Sequence, residues 1–225
     1  MDDHLNNLTN SKTDFEMEPR WPAMVALAAV GGLYYALPPA LTLGPRWLLI
    51  AVITVLTIPN LLLIRQGMLR ISQIFGYLSS LVVTISLLIS LTLLVRALPS
   101  HVEQPSALLR SAIALWLTNV IVFAVWYWRL DAGGPRGREV SPGHAKGSFL
   151  FPQMLIPDAL RGSMCANEWS PTFVDYLFLA FNTSAALSPT DTAVLSRWAK
   201  CLMMVQSIIS LTVVALLAAR AVNIL

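Results

Sequence analysis

Five uncharged polar side chains lie within long apolar stretches of this sequence and are its strongest candidates for chemistry. They are Asn119, Asn182, Thr183, Ser184 and Gln206. Hydrocarbon offers no water, so an amide or hydroxyl there must bond to a neighbouring helix or line a polar pathway. Small and hydroxyl residues favour helix packing, with interhelical hydrogen bonds of about 0.6 kcal/mol each. A conduit for an ion or small solute is the alternative hypothesis.

Four charged residues flank the last two apolar stretches and are candidates for the membrane interface. A carboxylate within a span costs several kcal/mol, so Asp175, one turn from a predicted helix start, is expected near the headgroups. Asp191 follows Ser188-Pro189 and is expected to face the positive end of the next helix. Arg197 and Lys200 are three residues apart on one helix face and are expected in the headgroup region.

Residues for making or breaking covalent bonds are not arranged in a recognised pattern. The sequence contains no His-Glu-x-x-His pair, no phosphate-binding glycine loop with lysine and no Gly-x-Ser-x-Gly elbow. His4, His101 and His144 fall in predicted tails or loops, and Cys165 and Cys201 lack the spacing of a zinc site or disulfide framework. The sequence therefore predicts a protein that is not an enzyme and that has no cofactor or metal.

Six apolar stretches must position these side chains. The chain is 56% hydrophobic and 12% charged, whereas a soluble domain has about 25% charged residues. A stretch of roughly 18 apolar residues can cross a bilayer as a helix. We predict an all-α, polytopic transmembrane helical bundle with six spans, or five spans and a re-entrant helix if residues 171–187 enter and return. The stretches are Trp21–Pro45, Trp47–Ile64, Ile71–Val95, Ser111–Trp128, the shorter Tyr176–Pro189, and Cys201–Ala219.

The distribution of Lys and Arg predicts the orientation and the partners. Basic residues concentrate in cytoplasmic segments, and here a cytoplasmic N-terminus gives the stronger bias. The net charge of +3 follows from this topology, so we expect a lipid bilayer, further copies or another membrane protein as partners, and no nucleic acid. The inside set is Lys12, Arg20, Arg65, Arg70, Arg129, Arg136, Arg138, Lys146 and Arg161, and the outside set is Arg46, Arg96 and Arg110.

Composition divides the chain into four regions. Residues 1–20 are expected to form a disordered cytoplasmic tail without the apolar core of a signal peptide. Residues 21–128 are predicted to form a four-helix transmembrane region, 129–170 a cytoplasmic loop and 171–225 a helical hairpin. The hairpin helices are expected at Pro171–Leu187 and from Pro189 to about Ile224.

The start of the predicted loop carries three further expectations. Trp126-Tyr127-Trp128 is typical of an aromatic belt at the headgroups. Asp131, close to Arg129, is expected to form an ion pair at the interface. The glycines and prolines that follow predict turns without a helix. The apolar segment Phe149–Pro157 is too short to span and is expected to lie on the surface or pack against the bundle.

The C-terminal hairpin resembles the pore helix, filter and inner helix of pore-loop potassium channels over about fifty residues. Tyr176–Ser184, Asp191 and the long apolar tail to Arg220 carry this resemblance. Residues Ala186–Thr190 occupy the place of the Thr-Val-Gly-Tyr-Gly filter but contain neither glycine and include a proline. The resemblance therefore implies a channel-like layout without a potassium filter.

A larger part of the chain resembles an uncharacterised family of bacterial multi-pass inner-membrane proteins. The residues that carry the resemblance are Trp126–Asp131, Phe149–Gln153, Asp175–Ser184 and Ser188–Asp191. It implies a location but no activity. The sequence accordingly predicts a structural or accessory membrane protein, with a small channel or transporter that uses the hairpin as the alternative.

Overall fold

The computed structural model describes residues 18–97, 105–140, 146–164, 169–188 and 191–222, and this part of the chain is mostly helical. Two two-residue strands pair with each other; the remaining regular structure is helical. In chain order the elements are α1 (Trp21–Tyr35), α2 (Leu48–Arg65), α3 (Leu69–Ala97), α4 (Pro105–Leu130), α5 (Gly134–Val140), β1 (Phe149–Leu150), α6 (Asp158–Met164), α7 (Phe173–Ala185), β2 (Ala193–Val194) and α8 (Arg197–Val222).

Within the described ranges, four helices are long and apolar enough to cross a membrane. They are Leu48–Arg65, Arg70–Ala97, Ser106–Arg138 and Arg197–Ala219. This finding confirms the all-α class and the membrane character of the chain. Helix α1 has 15 residues and α7 has 13, which correspond to roughly 22 and 20 Å at the usual helical rise. Both are shorter than a hydrocarbon core of about 30 Å.

Prolines shape the N-terminal helices in two different ways. Helix α1 ends at Tyr35, ahead of Pro38 and Pro39, which cannot continue a helix because each proline lacks an amide donor. Helix α2 instead continues through Pro59. The neighbouring Asn60 side chain accepts a hydrogen bond from the Ser72 hydroxyl, which ties α2 to α3.

Helix α4 is the centre of the bundle. It packs against α1, α3, α7 and α8, whereas the most extensive contacts of α2 are with α3 and α1. Burial follows this arrangement. In the most apolar 18-residue stretch of each segment, 61% of the residues are buried in Ser106–Arg138 but only 11% in Leu48–Arg65. Two helices of the same apolar character therefore occupy very different environments.

The region predicted as a cytoplasmic loop is folded. It contains α5, β1 and α6, so the expectation that residues after Leu130 form turns alone is wrong. Three successive residues, Ala132, Gly133 and Gly134, adopt positive φ and reverse the chain between α4 and α5. A Cβ on Gly134 would lie 2.7 Å from the Arg129 carbonyl oxygen, so the close return requires glycine there.

The predicted starts of the two hairpin helices are wrong. Helix α7 begins at Phe173 with Thr172 as its N-cap, two residues after Pro171. Helix α8 begins at Arg197 and not at Pro189, because the preceding residues pair with the earlier segment. Phe149 is opposite Val194 and Leu150 is opposite Ala193 in an antiparallel register. The Leu195 amide extends this pairing with a 2.8 Å hydrogen bond to the Ser148 carbonyl.

Candidate functional site

Gln206 joins three helices through its side-chain amide. It is fully buried on α8. The hydroxyl of Tyr127 on α4 donates to its Oε1. Its Nε2 donates to the Ala180 carbonyl at 2.7 Å and to the Ser184 hydroxyl at 2.8 Å, both on α7. Because these bonds use its carbonyl oxygen and both amide hydrogens, Gln206 acts as a three-way structural link.

Three further residues extend the contacts of Gln206 into a network. Asn119 donates from Nδ2 to the backbone carbonyl of Gln206 at 3.2 Å and to the Ser184 hydroxyl at 3.4 Å. The Ser210 hydroxyl donates to the Ser184 carbonyl at 2.6 Å, and the Trp116 indole donates to Ser210 at 2.9 Å. We call Trp116, Asn119, Tyr127, Ser184, Gln206 and Ser210 the polar network.

The five candidates for the polar pathway do not all meet. Asn119, Ser184 and Gln206 do so in the polar network. Thr183 is buried, but its hydroxyl donates to the Leu179 carbonyl of its own helix at 2.8 Å. Asn182 is half-buried. The sequence thus identified three members of the network and two neighbours outside it.

Sequence reasoning missed Tyr127, Trp116 and Ser210. Tyr127 was expected in an interfacial aromatic belt together with Trp128, but both are buried, and Trp126 is half-buried. The available signal was spacing: Gln206 and Ser210 are four apart on α8, as are Ala180 and Ser184 on α7. Two polar positions at the same helical spacing indicate one shared face.

Two buried amide atoms have no partner, one on Asn119 within the network and one on Asn182 outside it. Oδ1 of Asn119 and Nδ2 of Asn182 are buried without a hydrogen bond in the part of the chain that the structure describes. An unpaired buried polar atom typically costs about 1–3 kcal/mol. One atom is an acceptor and the other a donor, so a water or a small polar solute could satisfy both kinds of group.

A second buried cluster closes one end of the bundle around Arg138. Its guanidinium donates to both carboxylate oxygens of Glu18, with a closest distance of 2.8 Å. It also donates to the carbonyls of Trp128 at 2.9 Å and of Asp131 at 3.0 Å. Glu18 is thus held against the bundle, and the expectation that the tail is disordered as far as residue 20 is wrong for its last residues. Residues 1–17 lie outside the described part.

Asp131 is the acidic centre of this second cluster. It is fully buried, which overturns the expectation of an ion pair at the interface. Its carboxylate accepts a 2.7 Å hydrogen bond from the Tyr176 hydroxyl and another from the Ser148 amide. The Arg138 guanidinium lies 5.1 Å from the centre of the Tyr176 ring. We call Glu18, Asp131, Arg138, Ser148 and Tyr176 the Arg138 cluster.

Aromatic rings fill the space between the two clusters. Phe149 packs edge-on against Tyr127, Tyr176 and Trp198, with ring centres 5.3, 6.2 and 6.0 Å apart. The apolar segment after Ser148 is therefore packed into the bundle, one of the two placements that the sequence predicted. Because Phe149 touches the end of α4 and the starts of α7 and α8, these three helix ends lie together.

The polar contacts give the directions of the last two helices. Along α7, Ala180 and then Ser184 meet Gln206 and then Ser210 of α8, so these helices run parallel. Both run antiparallel to α4, since Tyr127 meets Gln206 and Trp116 meets Ser210 further along. Residues 186–196 therefore carry the chain from the far end of α7 back to the end where α7 began.

The four predicted interfacial charges occupy different positions. The Asp175 carboxylate caps α7 by accepting hydrogen bonds from the Thr172 amide at 2.7 Å and hydroxyl at 2.9 Å. Arg197 and Lys200 are both exposed in the first turn of α8. Asp191 is exposed but lies six residues before Arg197, so it does not face the start of that helix as expected.

In the described ranges, no group of three or more His, Cys, Asp and Glu side chains is placed to hold a metal ion. Cys201 is an exposed free thiol. His4, His101, His144 and Cys165 lie outside the described residues. No protein-family model, curated protein or solved structure matches this chain. The two resemblances given above therefore stay predictions.

Proposed function

We propose that this chain is a structural or accessory integral protein of the bacterial inner membrane, with a cytoplasmic N-terminus. The observation that carries the proposal is the complete use of the Gln206 side chain within the protein. A conduit needs polar groups that can exchange bonds with a passing solute. Gln206 and Ser184 instead bond across three helices, which favours a locked core.

The parallel course of α7 and α8 supports five spans and a re-entrant helix over six spans. Helix α7 starts beside the Arg138 cluster, and the following chain returns to the same end as β2. With the N-terminus inside, α2, α3, α4 and α8 would cross, as would α1 together with the apolar residues 36–43 that follow it, and the C-terminus would be external. The excess of Lys and Arg at the end with the Arg138 cluster supports this orientation.

A reporter fused after Leu225 tests the threading. We expect activity from an enzyme that functions only outside the cytoplasm and none from one that functions only inside it. A matched fusion within the loop after Gly67, between α2 and α3, should give the opposite result, because that loop is expected in the cytoplasm. A cytoplasmic signal from the C-terminal fusion would restore the six-span topology.

A small channel or transporter is the second candidate. The re-entrant course of α7 favours it, as do the unpaired amide atoms of Asn119 and Asn182. Irregular backbone at membrane depth is tolerated where it is buried in protein or lines a cavity, and such segments commonly form ion or solute sites. The unpaired atoms would then contact the solute, while Gln206 would hold the surrounding helices.

Flux into vesicles that contain the purified chain separates the two candidates. The structural proposal predicts that ion and small-solute flux equals that of empty vesicles. The channel proposal predicts flux that Asn182→Leu abolishes and that Thr212→Val leaves unchanged. Thr212 is the control because its hydroxyl bonds only to the Ile208 carbonyl of its own helix, at 2.8 Å. Flux that requires Asn182 would overturn the structural proposal.

The accessory role also predicts a partner on the basic side of the membrane. Lys146 is exposed beside the Arg138 cluster, and Arg96 is exposed at the opposite end of α3. A membrane protein that co-purifies with the chain should be lost with Lys146→Glu and retained with Arg96→Glu. Retention of the partner in both variants would show that the loop containing Lys146 does not bind that partner.

A further inference from the structure

A cavity lined by basic residues opens at the end of the bundle that carries the Arg138 cluster. Its volume is about 70 Å³, and it lies where α1 and α3 begin and where α2 and α4 end. The described residues that line it include no Asp or Glu. Its polar lining consists of Arg20, Arg129, Arg136, Asn60, Ser72 and Gln73.

Arg129 is the most constrained of these side chains. Its guanidinium lies directly over Gly76 of α3, where any Cβ would overlap it. Its Nε is buried and has no hydrogen-bond partner among the described residues. The guanidinium carbon lies 5.7 Å from the centre of the Trp128 ring. The chain thus places a guanidinium in the wall of a cavity and supplies no acceptor for its Nε among the described residues, so an anion in the cavity would face this positive charge.

We propose that this cavity binds a phosphate group, carried by an anionic lipid headgroup or free in solution. Guanidinium groups match phosphate oxygens with planar, paired donors. The Ser72 hydroxyl donates to the side-chain oxygen of Asn60. The side-chain nitrogen of Asn60 is therefore the group that can donate to a phosphate oxygen. Basic pockets between transmembrane helices on the cytoplasmic side are known to take anionic headgroups. The site does not include the polar network, so it is independent of the function proposed above.

Two binding measurements on the full chain in detergent distinguish the sources. Thermal unfolding with inorganic phosphate, against chloride at equal ionic strength, tests the free anion. Native mass spectrometry from micelles with phosphatidylglycerol or phosphatidylcholine tests the headgroup. Stabilisation by phosphate indicates a free-phosphate site, and preferential retention of phosphatidylglycerol alone indicates a lipid site. No preference in either measurement would overturn the proposal.

Matched variants assign the binding to this cavity. Arg129→Gln and Arg136→Gln should each weaken it at least about tenfold, because each removes a charge-assisted hydrogen bond. Gly76→Ala should weaken binding by displacing the Arg129 guanidinium. The controls are Gly32→Ala, whose Cβ would meet nothing within 4 Å, and Arg110→Gln, an exposed arginine near the other end of α4.

Arg136→Gln and Gly76→Ala keep the test decisive if Arg129→Gln does not fold. Wild-type affinity in both variants would overturn the assignment. So would an equal loss in Arg110→Gln, because that result would indicate attraction by overall charge.

Discussion

Helix α2 and the central span Ser106–Arg138 are both apolar enough to cross a membrane, yet they have opposite surroundings. Only 11% of α2 is fully buried, and its Thr54 hydroxyl bonds to the Ile50 carbonyl of the same helix at 2.8 Å. The central span is mostly buried, and Asn119 and Tyr127 bond to other helices. The hydrophobic content of a helix therefore indicates that it resides in the membrane. The hydrogen-bond partners of its polar groups indicate whether it is the central helix.

The strongest test of this difference is to remove the buried charge of Arg138, which lies on α5 and bonds to the end of α4. Arg138→Met removes the guanidinium from the Glu18 carboxylate and from the carbonyls of Trp128 and Asp131. We expect a loss of about 3–5 kcal/mol in the free energy of unfolding, measured in detergent with denaturant. Arg65→Gln, an exposed arginine in the last turn of α2, should change it by less than about 0.5 kcal/mol. Equal effects would remove the distinction between the two helices.

The polar network offers a test of intermediate size. Gln206→Leu leaves the Tyr127 hydroxyl without its acceptor and removes the donor that ties the Ala180 carbonyl and the Ser184 hydroxyl to α8. The expected loss is about 2–3 kcal/mol in the free energy of unfolding. Thr54→Val on α2 removes a hydroxyl that bonds only within its own helix and should cost less than about 0.5 kcal/mol. If Gln206→Leu were as mild as Thr54→Val, the network would not hold the helices together.

Replacing one valine with alanine in each of the two helices gives the smallest expected effects on the free energy of unfolding. Val125 of α4 is completely buried, and Val55 of α2 is 66% exposed. Because lipid tails are as apolar as protein cores, Val125→Ala costs mainly the packing lost around a cavity, about 1–2 kcal/mol. Val55→Ala should stay within about 0.5 kcal/mol. A large effect at Val55 would indicate that another protein copy covers α2.

Local sequence signals predicted the helical membrane class and several helix limits. The end of α1 before Pro38 follows from a property of proline that acts over a few residues. Asn119, Ser184 and Gln206 were expected either to bond to neighbouring helices or to line a polar pathway with Asn182 and Thr183, and the structure brings the first three into contact. Asp175 was expected near a helix start, and it caps α7 there.

The course of the last two helices could not be obtained in the same way. The pattern Ser188-Pro189-Thr190-Asp191 has the properties of a helix start, but pairing between β1 and β2 delays α8 until Arg197. Arg138 carried no signal in the sequence, since it lies in a segment rich in turn residues. Its importance depends on Glu18, 120 residues earlier in the chain.

The sequence alone determined that this protein resides in lipid. The free energy of transfer into a bilayer is a sum over side chains and does not depend on which residues they contact. Tertiary structure decided which apolar helix is central and that α7 runs parallel to α8. It also placed the guanidinium of Arg129 beside a cavity without an acid. These features depend on contacts between residues far apart in the chain, such as Ser148 with Leu195 and Asn119 with Gln206. Such contacts have no local signature in the order of residues.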